Sequence, residues 1–83
     1  MKKKAKRQYY KDEEALKNIG KRLRRIRVLN HISQESLANE CEIDYSQINR
    51  MELGKVNFTI SNLYRIARAL NMNPKDLLIE TDL

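Results

Sequence analysis

A short stretch near the middle of the chain is rich in side chains that form hydrogen bonds with nucleic-acid bases. Tyr45, Ser46, Gln47, Asn49 and Arg50 fall within six residues that contain no Lys or Glu. Gln and Asn pair with adenine, Arg pairs with guanine, Ser pairs with either, and a Tyr ring can touch a thymine methyl group. The same side chains also suit an ordinary solvated helix surface, so their meaning depends on the elements that hold them.

The segment before this stretch has the pattern of a short amphipathic helix. Ser33 offers a side-chain oxygen to the free amides of a first helical turn, as an N-cap residue does. The sequence predicts helix 2 over residues 34–41. Its inward-facing residues would be Leu37, Ala38 and Cys41, with the cysteine acting as a small core residue.

The stretch itself has the pattern of a second short helix. Asp44 is the next N-cap candidate, and Gln47 is placed to reach back to the Asp44 amide in a capping box. Helix 3 then begins at about Tyr45 and ends before Gly54, which accepts a left-handed conformation. Ile48 and Met51 would point inward. Two helices of about eight residues, joined by about three residues, must cross steeply, which is typical of a helix-turn-helix.

Three further helices complete an all-α fold. Apolar residues at spacings of three and four predict helix 1 from Asp12 and helix 4 after the N-cap Thr59. Asn71 is a plausible stop for helix 4, and Asn73 with Pro74 then begins a short helix 5. The stripes are Leu16, Ile19, Leu23, Ile26 and Leu29 in helix 1, Ile60, Leu63, Ile66, Ala67 and Leu70 in helix 4, and Leu77, Leu78 and Ile79 in helix 5.

Size and charge restrict the remaining possibilities. Eighty-three residues allow one domain, which we place at 12–83. The net charge is +6, but residues 1–30 hold twelve Lys or Arg and three acids, whereas 31–83 hold five and eight. Residues 1–11 are predicted to be a basic, disordered arm. Such an arm is either a solvated tail or a segment that contacts phosphates or a minor groove.

Other function classes lack the residues they need. One histidine, His31, and one cysteine, Cys41, offer neither a catalytic pair nor a metal cluster, so we expect no enzyme activity, no metal and no cofactor. Gly20 and Gly54 are too far apart for a phosphate-binding loop. The chain has no apolar run long enough for a membrane span or a signal peptide, so a cytoplasmic protein without membrane contact is expected.

Several motifs together resemble the lambda-repressor-like, XRE-type family of helix-turn-helix regulators. The resemblance covers about sixty residues, Ile19 to Leu78, and would make the protein a compact five-helix DNA-binding domain. It rests on IGKRLRRIR (19–27), SQESLA (33–38), INRMELGK (48–55), LYRIARALN (63–71) and NPKDLL (73–78). Restriction-modification controllers are similar in size. The resemblance implies a transcriptional regulator, with repression and autoregulation as the expected mode, and the residues do not distinguish a repressor from an activator. No small-molecule ligand is expected, because one domain of this size leaves no room for a ligand-binding domain.

The family resemblance also implies roles for individual residues. Residues expected to contact bases in the major groove are Tyr45, Ser46, Gln47 and Arg50. Residues expected to contact phosphates are Gln34, Asn49, Lys55, Asn57 and Thr59, the last two through amides at the start of helix 4. Arg27 and Glu52 would form a structural ion pair, so Arg27 is not a predicted DNA contact.

Two points stay open at the level of sequence. The family usually has glycine after helix 2, where this chain has Glu42, so either the turn differs or a strain of about 1–2 kcal/mol is tolerated. The same fold could also serve as a protein-interaction module, for instance an antitoxin.

We expect the protein to bind double-stranded operator DNA as a homodimer, because a single recognition helix contacts only a few base pairs. Its predicted contacts are Met72, Leu77, Leu78, Ile79 and Leu83.

Overall fold

The computed structural model describes residues 10–79, and within that range the chain forms five α-helices and no strand. They are α1 (Glu13–Leu29), α2 (Gln34–Cys41), α3 (Tyr45–Glu52), α4 (Ile60–Ala69) and α5 (Lys75–Leu78). The predicted all-α class is therefore confirmed. Helices α2, α3 and α4 begin directly after their predicted N-caps, whereas α1 begins one residue after Asp12, the predicted start of helix 1. Most of the predicted arm, and Leu83, lie outside the described residues.

Side-chain caps explain where most of the helices begin. Asp12, Ser33 and Thr59 each accept a hydrogen bond from the backbone amide three residues later, at 3.0 to 3.1 Å. The N-cap of α5 is Pro74, so α5 begins at Lys75, one residue later than predicted, and the Lys75 amide donates to Asn73 Oδ1 at 3.1 Å. The predicted capping box at Asp44 is wrong, because the Asp44 side chain makes no capping hydrogen bond.

One hydrophobic core joins all five helices. Leu23 of α1, Leu37 of α2, Ile48 of α3, Ile66 of α4 and Leu77 of α5 are all at least 98% buried in it. Burial of apolar surface is the main favourable term in folding a domain of this size. The core therefore sets the mutual placement of the short helices, which are too short to be stable alone.

Two residues of the predicted apolar stripes lie on the surface, and one predicted dimer contact is buried. Leu29 is 63% exposed and Ile60 is 67% exposed, and each is the terminal residue of its helix. Leu77, predicted as a dimer contact, is instead 1% exposed and belongs to the core. That prediction is corrected, since a side chain enclosed by its own domain cannot contact a partner.

Candidate nucleic-acid interface

Helix α3 is held by one face and presents the other to solvent. Ile48 and Met51 are only 0% and 1% exposed, so their packing in the core fixes the rotation of the helix about its axis. The opposite face carries the four residues predicted to contact bases. Tyr45 is 55% exposed, and Ser46, Gln47 and Arg50 are exposed as well. Since all four lie on a rigidly seated helix, their side chains can enter a groove without a rearrangement of the fold.

The turn between α2 and α3 contains Glu42, which stands where the family usually has glycine. Glu42 has φ 57° and ψ 43°, a left-handed backbone that costs a non-glycine residue free energy. The Arg65 guanidinium of α4 donates to the carbonyls of Cys41 and Glu42, at 3.1 and 3.3 Å. The turn therefore keeps the geometry that glycine would give, and its carbonyls are satisfied by a side chain from another helix.

A buried polar network ties α1, α2 and α3 together. Arg27 donates through Nε and Nη2 to the two carboxylate oxygens of Glu52, and through Nη1 to the carbonyl of Ile32 at 2.7 Å. The hydrogen bond to Glu52 raises the pKa of Arg27, so the guanidinium stays charged although burial opposes it. The predicted ion pair is thus formed, and it anchors the C-terminal end of α3 to α1.

Gln34 belongs to the same network. Its amide nitrogen donates to Glu52 Oε1 at 2.9 Å and to Asn49 Oδ1 at 3.3 Å. Gln34 and Asn49 were both predicted to contact phosphates, and both are half-buried. A hydrogen bond from the Gln34 side-chain amide to a DNA phosphate would have to replace one of these internal hydrogen bonds. The pairing of Gln34 with Asn49 carries no signal in the sequence, because the two residues lie on different helices.

An open cleft borders this network on the surface. It has a volume of about 590 Å³ and is lined by side chains from α1, the start of α2 and α3: Arg24, Arg27, Ser33, Gln34, Glu35, Tyr45 and Asn49. The Arg24 side chain is 65% exposed and lies 4.0 Å from Glu52. Tertiary structure places Arg24 beside α3 and the N-terminus of α2.

The loop from α3 to α4 brings the remaining predicted phosphate contacts together. Gly54 has φ 73°, and a side chain there would come within 2.7 Å of the Lys17 Cα atom, so the position requires glycine. Lys55 and Asn57 are exposed. Thr59 caps α4 and is exposed beside its free backbone amides. Amides of this kind and an exposed ammonium group are suitable donors to a phosphate.

Other kinds of site have no support in the part of the chain that the structure describes. Residues 10–79 contain no group of three or more His, Cys, Asp or Glu side chains placed to hold a metal ion. No helix among them is both long and apolar enough to cross a membrane. Burial of the Cys41 thiol raises its pKa, and its sulfur lies 3.9 Å from the Arg65 carbonyl oxygen. Cys41 thus has the surroundings of a core residue.

Two short helices packed through Leu37, Ala38 and Ile48, with a polar exposed face on the second, define a helix-turn-helix DNA-binding domain. The profile of the helix-turn-helix family HTH_3 matches residues 23–77. The chain belongs to this family. The match includes α2, α3 and α4 entirely, together with the C-terminal part of α1 and most of α5.

The chain is similar to two proteins that are named as control or controller proteins. It is 40% identical over 61 residues to the control protein C.BamHI of Bacillus amyloliquefaciens. The aligned residues cover 72% of this chain and 75% of that protein. It superposes on the restriction-modification controller C.AhdI of Aeromonas hydrophila with a TM-score of 0.74 and 35% identity, over 75% and 94% of the two chains.

A third similar structure is a hypothetical transcription factor, NHTF, from Neisseria. Its TM-score is 0.74 and its identity 30%, over 88% of this chain and 85% of that chain. Family, fold and relatives agree with the geometry of α2 and α3. The protein is a DNA-binding transcriptional regulator.

Proposed function

We propose that the protein binds a specific operator sequence by placing the outward face of α3 in the major groove. The observation that carries this proposal is the division of α3 into a buried face and an exposed face. The buried face is Ile48, Met51 and Glu52, and the exposed face has the side-chain types that recognise bases. Tyr45, Ser46, Gln47 and Arg50 are the proposed base contacts.

The phosphates on either side of the groove have separate proposed partners. On one side are the N-terminus of α2 with Gln34, and Asn49 beside it. On the other side are Lys55 and the backbone amides near Asn57 and Thr59. Phosphate contacts of this kind set the position of the domain on the duplex, and the α3 side chains then supply the discrimination between base pairs.

We further propose a symmetric homodimer that represses its own promoter. One α3 helix contacts only a few base pairs, so two half-sites about one helical turn apart give a useful level of specificity. The similar proteins C.BamHI and C.AhdI carry the names of control proteins, the second of them in restriction-modification. A comparable circuit, acting on the nucleoid in the cytoplasm, is the proposed role of this chain.

The first experiment is selection of bound fragments from random duplex DNA, followed by measurement of the protein's affinity for the selected sequence. Gln47→Ala and Arg50→Ala should each lose about 1–3 kcal/mol of discrimination against the wrong base, since a good bidentate pair supplies that amount. Their binding to mixed DNA at low salt should stay close to that of the unchanged protein, because the phosphate contacts remain.

Arg68→Ala is the matched control for Arg50→Ala. Arg68 is also an exposed helical arginine, but it lies in the last turn of α4, over the Tyr64 ring. It should leave operator preference unchanged. Loss of preference from Arg68→Ala but not from Arg50→Ala would contradict the proposal. Absence of any DNA binding at low salt would instead favour the same α3 face as a protein-binding surface, as in an antitoxin.

A further inference from the structure

The C-terminal end of α2 lacks the residues that usually stabilise a helix end. Its last turn contains no basic residue, and Glu40 and Glu42 place negative charge at the negative end of the helix dipole. The Glu42 amide donates to the Asn39 carbonyl at 3.3 Å. The Ile43 amide donates to the Ala38 carbonyl at 3.0 Å, which completes the hydrogen-bond pattern of a Schellman motif. Such a motif usually has glycine where Glu42 stands, so the local sequence does not favour the conformation of this turn.

The start of α3 also lacks a local determinant. Asp44 is the N-cap residue of α3, but its side chain makes no capping hydrogen bond. The opposite end of α3 is fixed to α1 by the buried ion pair of Arg27 and Glu52. The placement of the first turn of α3 therefore depends on whatever holds residues 42–44. That first turn carries three of the proposed base contacts, Tyr45, Ser46 and Gln47.

A side chain of α4 supplies the missing stabilisation. Arg65 Nη1 donates to the Cys41 carbonyl at 3.1 Å and to the Glu42 carbonyl at 3.3 Å. Its positive charge offsets the negative end of the α2 dipole. Helix α4 is itself fixed in the core, because Ile66 and Ala67 are 1% and 0% exposed. Arg65 thus joins the turn before α3 to a firmly packed helix.

From these contacts we propose that Arg65 is a positioning residue for operator recognition, which sets the placement of the first turn of α3 through the carbonyls of Cys41 and Glu42. Since the base contacts are assigned to α3, the inference rests on the proposed function. The base pairs that Gln47 contacts depend on Arg65. The base pairs that Arg50 contacts depend on it less, because Arg50 lies in the last turn of α3, near the end held by the ion pair.

Selection of bound fragments from random duplex DNA with Arg65→Gln tests this assignment. At the base pairs where Gln47→Ala loses discrimination, Arg65→Gln should lose at least about fivefold, the lower end of what one bidentate base contact supplies. At the base pairs where Arg50→Ala loses discrimination, it should stay close to the unchanged protein. Affinity for mixed DNA at low salt should also stay close, because the phosphate contacts remain.

Glu42→Gly provides the rescue that a purely structural role of Arg65 would not give. Glycine adopts the left-handed conformation without strain, so the turn keeps its geometry without a donor from α4. Adding Glu42→Gly to Arg65→Gln should restore the lost discrimination. A double variant that discriminates no better than Arg65→Gln would overturn the proposal, because the effect of Arg65 would then not pass through the turn.

Two matched variants in α4 separate positioning from loss of charge and from loss of stability. Arg68→Gln removes the same charge from an exposed position three residues further along α4. Ile66→Val weakens the core packing of α4 and leaves the Arg65 side chain in place. Both variants, compared at a temperature at which circular dichroism shows all proteins folded, should keep the discrimination of the unchanged protein. A loss in either one equal to that of Arg65→Gln would overturn the proposal.

Amide hydrogen exchange followed by NMR locates the change in the free protein. In Arg65→Gln the Ile43 amide should lose more protection than the Leu70 amide, which donates to the Ile66 carbonyl within α4. Equal losses would mean a general loss of stability and would overturn the proposal. Unchanged discrimination in Arg65→Gln while Gln47→Ala still loses it would overturn this inference alone. Absence of DNA binding by the unchanged protein would overturn the proposed function with it.

Discussion

At the scale of single residues, the Arg27–Glu52 pair is the most constrained feature of the molecule. Both side chains are more than 90% buried, and two hydrogen bonds join them, one of them Nη2 to Oε1 at 3.0 Å. A buried pair is often no better than apolar residues of the same size, but a single buried charge is costly. The pair therefore holds α3 against α1 and is not available to DNA.

Arg27→Met should destabilise the protein by about 3–5 kcal/mol, because the buried Glu52 carboxylate keeps only the neutral Gln34 amide at hydrogen-bond distance and the exposed Arg24 at 4.0 Å. Urea unfolding followed by circular dichroism measures the change in the free energy of unfolding. Adding Glu52→Leu to Arg27→Met should recover most of the loss. If the double variant is less stable than Arg27→Met alone, the Glu52 carboxylate is not the source of the cost.

At the scale of elements, helix ends account for the three non-glycine residues with positive φ in residues 10–79. His31 follows the C-cap of α1, Glu42 is the C-cap of α2 and Asn71 follows the C-cap of α4, at φ 58°, 57° and 56°. Each lets the chain turn sharply after a helix. Asn tolerates this conformation better than Glu, since its short side chain can bond locally.

Glu42→Gly should therefore raise the free energy of unfolding by about 1 kcal/mol, by removing the left-handed strain at the turn of the motif. Thermal and urea unfolding report the gain. Asn71→Gly is the control in the same conformation, and it should give a smaller gain. An equal gain at both positions would mean that side-chain type does not determine the strain.

At the scale of the whole molecule, the C-terminal residues divide between the core and the surface. Leu77 is enclosed, with its carbonyl oxygen accepting a 3.1 Å bond from Arg22 of α1. Leu78 and Ile79 are about half exposed. Met72 is half-buried beside a surface groove of about 490 Å³ that it shares with Leu29 and Leu70. Leu77 is accordingly removed from the proposed dimer contact, which keeps Met72, Leu78 and Ile79 among the described residues, while Leu83 lies outside them.

Leu78→Asp with Ile79→Asp should shift the protein toward monomer in sedimentation equilibrium and weaken binding to a two-half-site operator. Stability should change little, because neither side chain is buried in the domain. Leu77→Ala should instead cost about 2–5 kcal/mol of stability, as loss of a core leucine does. A dimer that persists in the aspartate variant would place the subunit contact elsewhere.

Local sequence determined the helices and their order. The apolar spacing, the caps Asp12, Ser33 and Thr59, and the stop at Gly54 are short-range signals, because capping and helical periodicity involve residues within a turn or two of each other. The outward set of α3 followed from the inward placement of Ile48 and Met51. A capping box at Asp44 failed, since the right residue types do not guarantee the side-chain bond.

Only the tertiary structure decided which side chains form hydrogen bonds with residues far away in the sequence. Gln34 bonds Asn49 and Glu52, Arg65 supports the turn at Glu42, and Lys11 bonds the Lys55 carbonyl. It also buried Leu77 and exposed its neighbour Leu78. Burial and pairing at such separations depend on how the helices pack against one another, and that arrangement is a property of the complete core.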